Sequence, residues 1–400
     1  MKKTKKLILS GEKDRVWDAT FQLMSWWDAE SVRKSSVMVV GAGALGNEVL
    51  KNLALMNIGR ILTVDFDTVE YANLSRSVLF RESDSDARRN KCEVAAERIR
   101  QLNPNVRVMA LHGDIMIDIG LGLFRRMDVI IGCLDNRLAR LMINRQAFRV
   151  GKSWIDGAIE NLSGQMVVYK PGTSCYECQL SDSEWANIRE RMGCPDVARR
   201  NYAAGKIPTT PISASIIGAL QVQEALKVIH HNDKQSTAGE IFRLDGMHNL
   251  FMHYDVQALK KECDSHFQIT EVVELEALRH SSTVKEALDV LCRHFNDETL
   301  WINLDHEFVI EVTGEDSGHK IYPLKAKPHL SDDILDRQRV DPLEELFITQ
   351  SASVLDRSFP YPDLSLHAVG IPPLHIISVE TRGDIHFVEL HGDMDFMKFT

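Results

Sequence analysis

Apolar and polar positions along this chain follow two alternating periods. Val37-Met38-Val39-Val40 is an unbroken apolar run that stops at Gly41, and beyond it Val49, Leu50, Leu53 and Leu55 recur at helical spacing. The exchange then repeats. Arg60 to Val64 predicts a second strand ending at Asp65, and Ala95, Ala96, Ile99 and Leu102 put an apolar face on a helix over 87–102. Val106 to Leu111 and Met127 to Cys133 predict two more strands, the second followed by Asp135. Apolar strands alternating with helices predict an α/β fold with a mostly parallel, Rossmann-type sheet and right-handed crossovers. Trp154-Ile155 and Gly164 to Tyr169 add strands, and residues 211–231 an apolar helix.

Three stretches depart from this rhythm. Residues 1–35 read as an N-terminal helical segment, with the periodicity over 13–35. Residues 179–210 are polar and carry Pro195 and Pro208, so an irregular, functional loop is expected there. Beyond His266 the texture shifts to a strand over Gln268–Leu275, a helix over Thr283–His294 and a strand over Leu300–Val312. The chain therefore divides into residues 36–266 and a smaller α+β domain over 267–400.

Composition narrows the function. A formal net charge of −10 argues against nucleic acid as a partner. No uninterrupted run of about 18 apolar residues predicts a membrane span, and the Lys-rich start lacks a signal peptide's apolar stretch, so a cytoplasmic protein is expected. Seven cysteines in 400 residues do not form a secreted disulfide framework. Cys92, Cys133 and Cys292 sit singly in apolar-periodic segments, as structural thiols do.

The first chemical signal is Gly41-Ala-Gly43-Ala-Leu-Gly46 between a strand and a helix. Glycines there allow the tight turn and let backbone N–H groups approach a phosphate. Asp65 lies 19 residues past Gly46 at the next strand's end, where a carboxylate can bind ribose hydroxyls. This combination does not separate NAD from ATP. The residues beyond it do: Asp65-Phe-Asp67, Asn73-Leu-Ser-Arg76, Lys91, Asn103-Pro104 and Leu134-Asp135-Asn136 supply the cations and the metal carboxylate that a triphosphate needs.

In that order these motifs resemble the family of ubiquitin-like-protein activating enzymes and the ThiF- and MoeB-type adenylyltransferases. The resemblance covers residues 35–270, about three fifths of the chain. It implies ATP and Mg²⁺ as cofactors, Asp65 as the ribose ligand, Asn73, Arg76 and Lys91 as phosphate ligands, and Asp135 as the Mg²⁺ carboxylate. Ser77 stands where the family commonly has Gln. Arg15 is the nearest match to an arginine that many members supply across a dimer, and the family precedent is a homodimer. The β-α-β opening of 267–400 looks like a ubiquitin-fold module, which implies recruitment of a conjugating enzyme.

Cys175-Tyr-Glu-Cys178 and Cys263-Asp-Ser-His266 each have the spacing of a zinc half-site, and together they make a structural Cys₃His zinc set. The resembling family commonly uses two C-x-x-C pairs. Cys194, flanked by Arg189, Arg191, Arg199 and Arg200, sits where activating enzymes carry the cysteine that takes the modifier as a thioester. The leading expectation is adenylation of the C-terminal glycine of a ubiquitin-like protein, thioester formation on Cys194, and transfer to a conjugating enzyme. A sulfur-carrier adenylyltransferase without the thioester step is the alternative, and a non-catalytic scaffold subunit a third.

Overall fold

The structure is a computed structural model and describes residues 17–193, 208–341 and 344–400. Its larger sheet has a parallel half, β1 (Ser36–Val40), β2 (Arg60–Val64), β3 (Arg107–Leu111), β4 (Val129–Gly132) and β5 (Trp154–Glu160). Its antiparallel half is β6 (Ser163–Tyr169), β7 (Glu240–Asp245) and β8 (Leu250–Asp255). The spatial order is β3-β2-β1-β4-β5-β6-β7-β8, so the winding reverses between β1 and β4. Ligands of open α/β sheets lie off the strand carboxyl ends at such a reversal. In register, Val40 stands opposite both Val64 and Gly132. The exits of β1, β2 and β4, which lead to Gly41, Asp65 and Cys133, are therefore neighbours.

The central parallel strands β1, β2 and β4 are mostly apolar because both faces are covered. Val37, Val39 and Ile61 pack with Val49, Leu53, Ile99 and Ile217, which come from the helices Ala44–Leu55, Lys91–Leu102 and Pro211–Ile229. The alternate residues Met38, Val40, Leu62 and Ile130 pack with Phe124, Ile143 and Phe148, and with Leu374 and Ile376 from the far end of the chain. Helix Pro211–Ile229 starts with Thr210 as its N-cap and a proline in its first turn. It is long and apolar enough to pass a membrane-span test, yet 56% of that window is buried in the fold and its Gln221 and Glu224 are buried too. It is a core helix.

The polar stretch 179–210 is not irregular from its start. A helix runs over Asp182–Gly193, with Ile188 packed beside Leu138, Leu141 and Leu180 and Trp185 against the same cluster. Ser181 and Glu184 form its start: Glu184 accepts from the Ser181 N–H (2.9 Å) and the Glu184 N–H donates to Ser181 Oγ (3.4 Å). The Ser-x-x-Glu spacing is a capping signal that the polarity of the stretch obscured. Among the described residues of the N-terminal segment there are a 3₁₀ turn (Phe21–Leu23) and a helix (Ala29–Lys34) capped by Asp28.

The smaller sheet comprises β9 (Val273–Glu274), β10 (Trp301–Gly314), β11 (Lys320–Ile321), β12 (Lys325–Ala326), β13 (Leu346–Leu355), β14 (Ile376–Glu380) and β15 (Ile385–Glu389). Its order is β11-β10-β14-β15-β9, with β12 and β13 also on β10. Helix Val284–Phe295, opened by a Thr283–Glu286 capping box, packs Leu288 and Leu291 against Ile302, Phe308 and Val379. The strand expected over 268–275 shrinks to Val273–Glu274 because Ile269 and Val272 pack instead against the core of the larger sheet. The β-α-β opening thus begins on a two-residue strand.

The two sheets share an interface. Glu389, fully buried, accepts from Arg126 (2.6 and 2.9 Å) and Arg125 (3.1 Å). The Gly122 N–H donates to the Leu374 carbonyl (2.9 Å), His329 pairs with Asp118 (3.0 Å), and His306 reaches the Met116 carbonyl (3.1 Å). A side chain at Gly120 would meet the Pro373 carbonyl at 2.0 Å, so glycine is what lets the chains approach there.

Candidate nucleotide and metal sites

The glycine loop is shaped by contacts that a side chain would break. Gly41 has φ +95°, and a Cβ there would lie 2.5 Å from the Cys133 carbonyl oxygen. A Cβ at Gly46 would lie 1.9 Å from the Gly41 carbonyl oxygen. Gly43 differs: nothing lies within 4 Å of its virtual Cβ. It is the N-cap of helix Ala44–Leu55 and offers no side chain to the first-turn N–H groups, which keep their anion-binding capacity.

Asp65 closes the loop from the β2 side. Its carboxylate accepts from the Ala42 N–H (2.6 Å) and the Asp67 N–H (2.8 Å). Burial pushes its pKa up, while Lys91 and these two amides oppose the shift. Lys91, the first residue of its helix and nearly buried, donates to Asp67 (2.7 Å), whose carboxylate is half-exposed. Asp65, Asp67 and Lys91 are thus gathered on one side of the loop. Asn73 is buried, and its Oδ1 accepts from the Glu70 N–H (3.0 Å) to close a 3₁₀ turn over Tyr71–Asn73. Arg76 folds back onto that turn, donating to the Ala72 carbonyl (2.7 Å). Ser77 is buried and its Oγ has no hydrogen-bond partner among the described residues.

On the β4 side, Asp135 is exposed just beyond the strand and makes no ion pair among the described residues. The turn that carries it is held from beneath. Arg140 donates to the Leu134 carbonyl, to Asp156 (3.0 Å) and to the Gly157 carbonyl (3.3 Å). Gln221, fully buried, donates to the Gly132 (2.8 Å) and Ile155 (3.2 Å) carbonyls. Sequence reasoning missed Arg140, Gln221 and Asn47, all of which brace this rim. The signal that could have marked them is a polar residue on an otherwise apolar helix face.

Arg15 and Cys194 lie outside the described residues. The described cysteines away from the paired motifs are not poised for attack. Burial pushes Cys92 up to about 12, and it raises Cys133 further and Cys292 as well.

Cys175, Cys178, Cys263 and His266 converge, with all four ligand atoms within 4.8 Å of one another. Cys175 Sγ is 3.8 Å from Cys178 Sγ and 3.6 Å from Cys263 Sγ, and Cys178 Sγ is 3.5 Å from His266 Nε2. A disulfide would hold sulfurs about 2.05 Å apart. Tetrahedral zinc with ~2.3 Å bonds to sulfur separates its ligands by about 3.8 Å, so these donors fit zinc and leave no open position. The surroundings are built as well. Phe148 stacks on His266, and Ser265 between the second pair donates to Glu177 (2.5 Å), which Arg145 engages through two hydrogen bonds.

The profile of the ThiF family matches residues 18–265. A sulfur carrier protein adenylyltransferase of Thermus thermophilus is 31% identical over 234 residues, 57% of this chain and 81% of its own. Ubiquitin-like modifier-activating enzyme 5 of Dictyostelium discoideum is 31% identical over 257 residues, 60% of this chain and 63% of its own. SUMO-activating enzyme subunit 2 of the same organism is 34% identical over 152 residues, 38% of this chain, and the chain spans only 23% of that relative. A crystal structure of E. coli MccB superposes with a TM-score of 0.49 at 21% identity, covering 60% of this chain and 67% of that one. With its family match spanning more than half of the sequence, this chain belongs to the ThiF family.

Proposed function

We propose that this protein adenylates the C-terminal glycine of a ubiquitin-like protein with MgATP. The observation that carries this reading is the rim at the β1–β4 reversal. An uncapped helix start, Asp65, Lys91 and Asp135 surround the carboxyl ends of three adjacent strands. Asp65 suits the ribose hydroxyls, while Asn73, Arg76 and Lys91 suit the phosphates. Arg76 and Lys91 now donate to Ala72 and Asp67, contacts a phosphate can replace. Asp135 is the carboxylate for Mg²⁺, which when bound neutralises charge on the departing pyrophosphate.

A carboxylate oxygen of the incoming tail attacks the α-phosphorus. The new P–O bond gives an acyl-adenylate, and the bond to the β-phosphate bridging oxygen breaks, releasing pyrophosphate. Holding two anions in one cationic pocket makes the attack effectively intramolecular. No protein nucleophile takes part. Cys175, Cys178, Cys263 and His266 would hold zinc as a clasp between the end of β6 and the end of the domain.

In the second step, the Cys194 thiolate attacks the acyl carbon, AMP leaves, and a thioester forms for transfer to a conjugating enzyme. The likeness to an activating enzyme supports this step, and the likeness to a sulfur carrier protein adenylyltransferase favours a reading that stops at the acyl-adenylate. Cys194→Ala separates them. With MgATP and a small partner bearing a C-terminal glycine, wild type should form a covalent species that thiol reductant removes. The variant should retain ATP–pyrophosphate exchange and form none. Adenylation by wild type without any such species would leave the sulfur-carrier reading standing. A homodimer and a cytoplasmic setting complete the proposal, with residues 267–400 as the recruiting domain.

A further inference from the structure

We infer that Asn47 is a positioning residue for the nucleotide, a single side chain that sets the glycine loop and the Arg76 segment at a fixed separation; this rests on the nucleotide reading above. Asn47 is fully buried one residue beyond Gly46, in the first turns of helix Ala44–Leu55. A buried amide is costly unless its donors and acceptor are all used. Here they are, and in two directions. Nδ2 donates to the Ala42 carbonyl (2.7 Å) and the Gly43 carbonyl (3.0 Å), while Oδ1 accepts from the Leu79 N–H (2.8 Å).

The first pair governs the loop. With the Ala42 and Gly43 carbonyls turned inward onto Nδ2, the N–H groups of Gly43 and Ala44, at the other side of those same trans peptide units, point the opposite way, where a phosphate would sit. Ala42 is gripped from both ends, since its own N–H donates to Asp65. The third bond governs a different segment. Leu79 lies three residues past Arg76, and between them Ser77 is buried with an unpartnered hydroxyl, so no side-chain bond at Ser77 anchors this stretch among the described residues. A phosphate bound by the loop and by Arg76 together needs the two at a fixed distance, and Asn47 touches both sides.

Two substitutions divide the role. Asn47→Asp keeps an acceptor for Leu79 but sets a carboxylate against two carbonyl oxygens. Asn47→Ser keeps a hydroxyl donor near the loop but is too short to reach Leu79. MgATP binding to the full chain should be measured by calorimetry below the melting temperature of each variant, with melting without nucleotide recorded alongside. Because these bonds set where the loop N–H groups and the Arg76 segment stand, their loss should cost phosphate affinity as well as stability, and both variants should bind MgATP about tenfold more weakly or worse. Amide exchange at Leu79 should accelerate in Asn47→Ser and not in Asn47→Asp. Lower melting with MgATP affinity within about twofold of wild type would reduce Asn47 to a packing residue and overturn the inference. Failure of wild type itself to bind MgATP would overturn the nucleotide reading, and this role with it.

Discussion

A carboxylate can serve a metal-bound triphosphate only where the protein has not already neutralised it. Asp67 is paired with Lys91, and Asp65 is occupied by two backbone amides and pushed toward its neutral form by burial. Asp135 is exposed and unpaired among the described residues, which leaves its charge available. Asp135→Ala should therefore reduce modifier-dependent ATP–pyrophosphate exchange by about two orders of magnitude or more, as loss of several kcal/mol of charge stabilisation requires. The melting temperature should stay near that of wild type, because exposed substitutions change stability by only about 0.5 kcal/mol. Exchange at the wild-type rate would remove Asp135 from the site. At this scale, Gly41, Gly46 and Asp65 were legible because a turn and a strand end demand those residue types. Asn47 was passed over, since a polar residue on an apolar helix face signals a buried amide but not which three groups it bonds.

The paired cysteine motifs show what an element can and cannot announce. Each half-site is legible because its two ligands are separated by two residues, a local spacing. That the halves meet depends on the chain after β6 and the chain after β8 coming together beside helix Arg137–Arg149, 88 residues apart in sequence. Zinc should co-purify at about one equivalent per chain, and Cys175→Ser or His266→Ala should lower metal content and melting temperature together, because a closed site contributes folding free energy directly. Full zinc occupancy in His266→Ala would mean that the fourth ligand is not this histidine. Helix Asp182–Gly193 makes the opposite point: Ser181 and Glu184 carried a readable capping signal, but the polar composition around them outweighed it.

Across the whole molecule, the smaller domain is not an appendage. Leu374 and Ile376 complete a core that begins with Met38 and Val40, so deleting residues 267–400 would bare that core and could not test recruitment cleanly. Substitutions on the exposed face of β13, such as at Phe347, leave the core intact and are the better probe. The interface also has a pH signature. Burial alone would raise Glu389, but its hydrogen bonds with Arg126 hold it below its ordinary value of 4.5; burial likewise opposes, and His329 outweighs it to lower, Asp118 from 3.8. Carboxylates lowered in the folded state contribute stability that is present above their ordinary values and lost as pH falls through the folded ones. Melting temperature should thus fall as pH drops below about 4, and Glu389→Gln should flatten that slope while costing about 3 kcal/mol at neutral pH by leaving Arg126 underpaired. An unchanged slope in Glu389→Gln would show that this buried pair does not govern the acid response.

Periodicity, glycine spacing and the acidic strand ends determined by themselves that a Rossmann-type sheet carries a tight glycine turn between its first strand and helix, because each depends on neighbours within a few residues. Only the tertiary structure decided that β1, β2 and β4 open side by side, that four distant sulfur and nitrogen donors share one centre, and that Asn47 spans two segments. Those outcomes depend on chain crossings and buried hydrogen-bond partners tens of residues apart, and the physical forces that select them act through space rather than along the sequence.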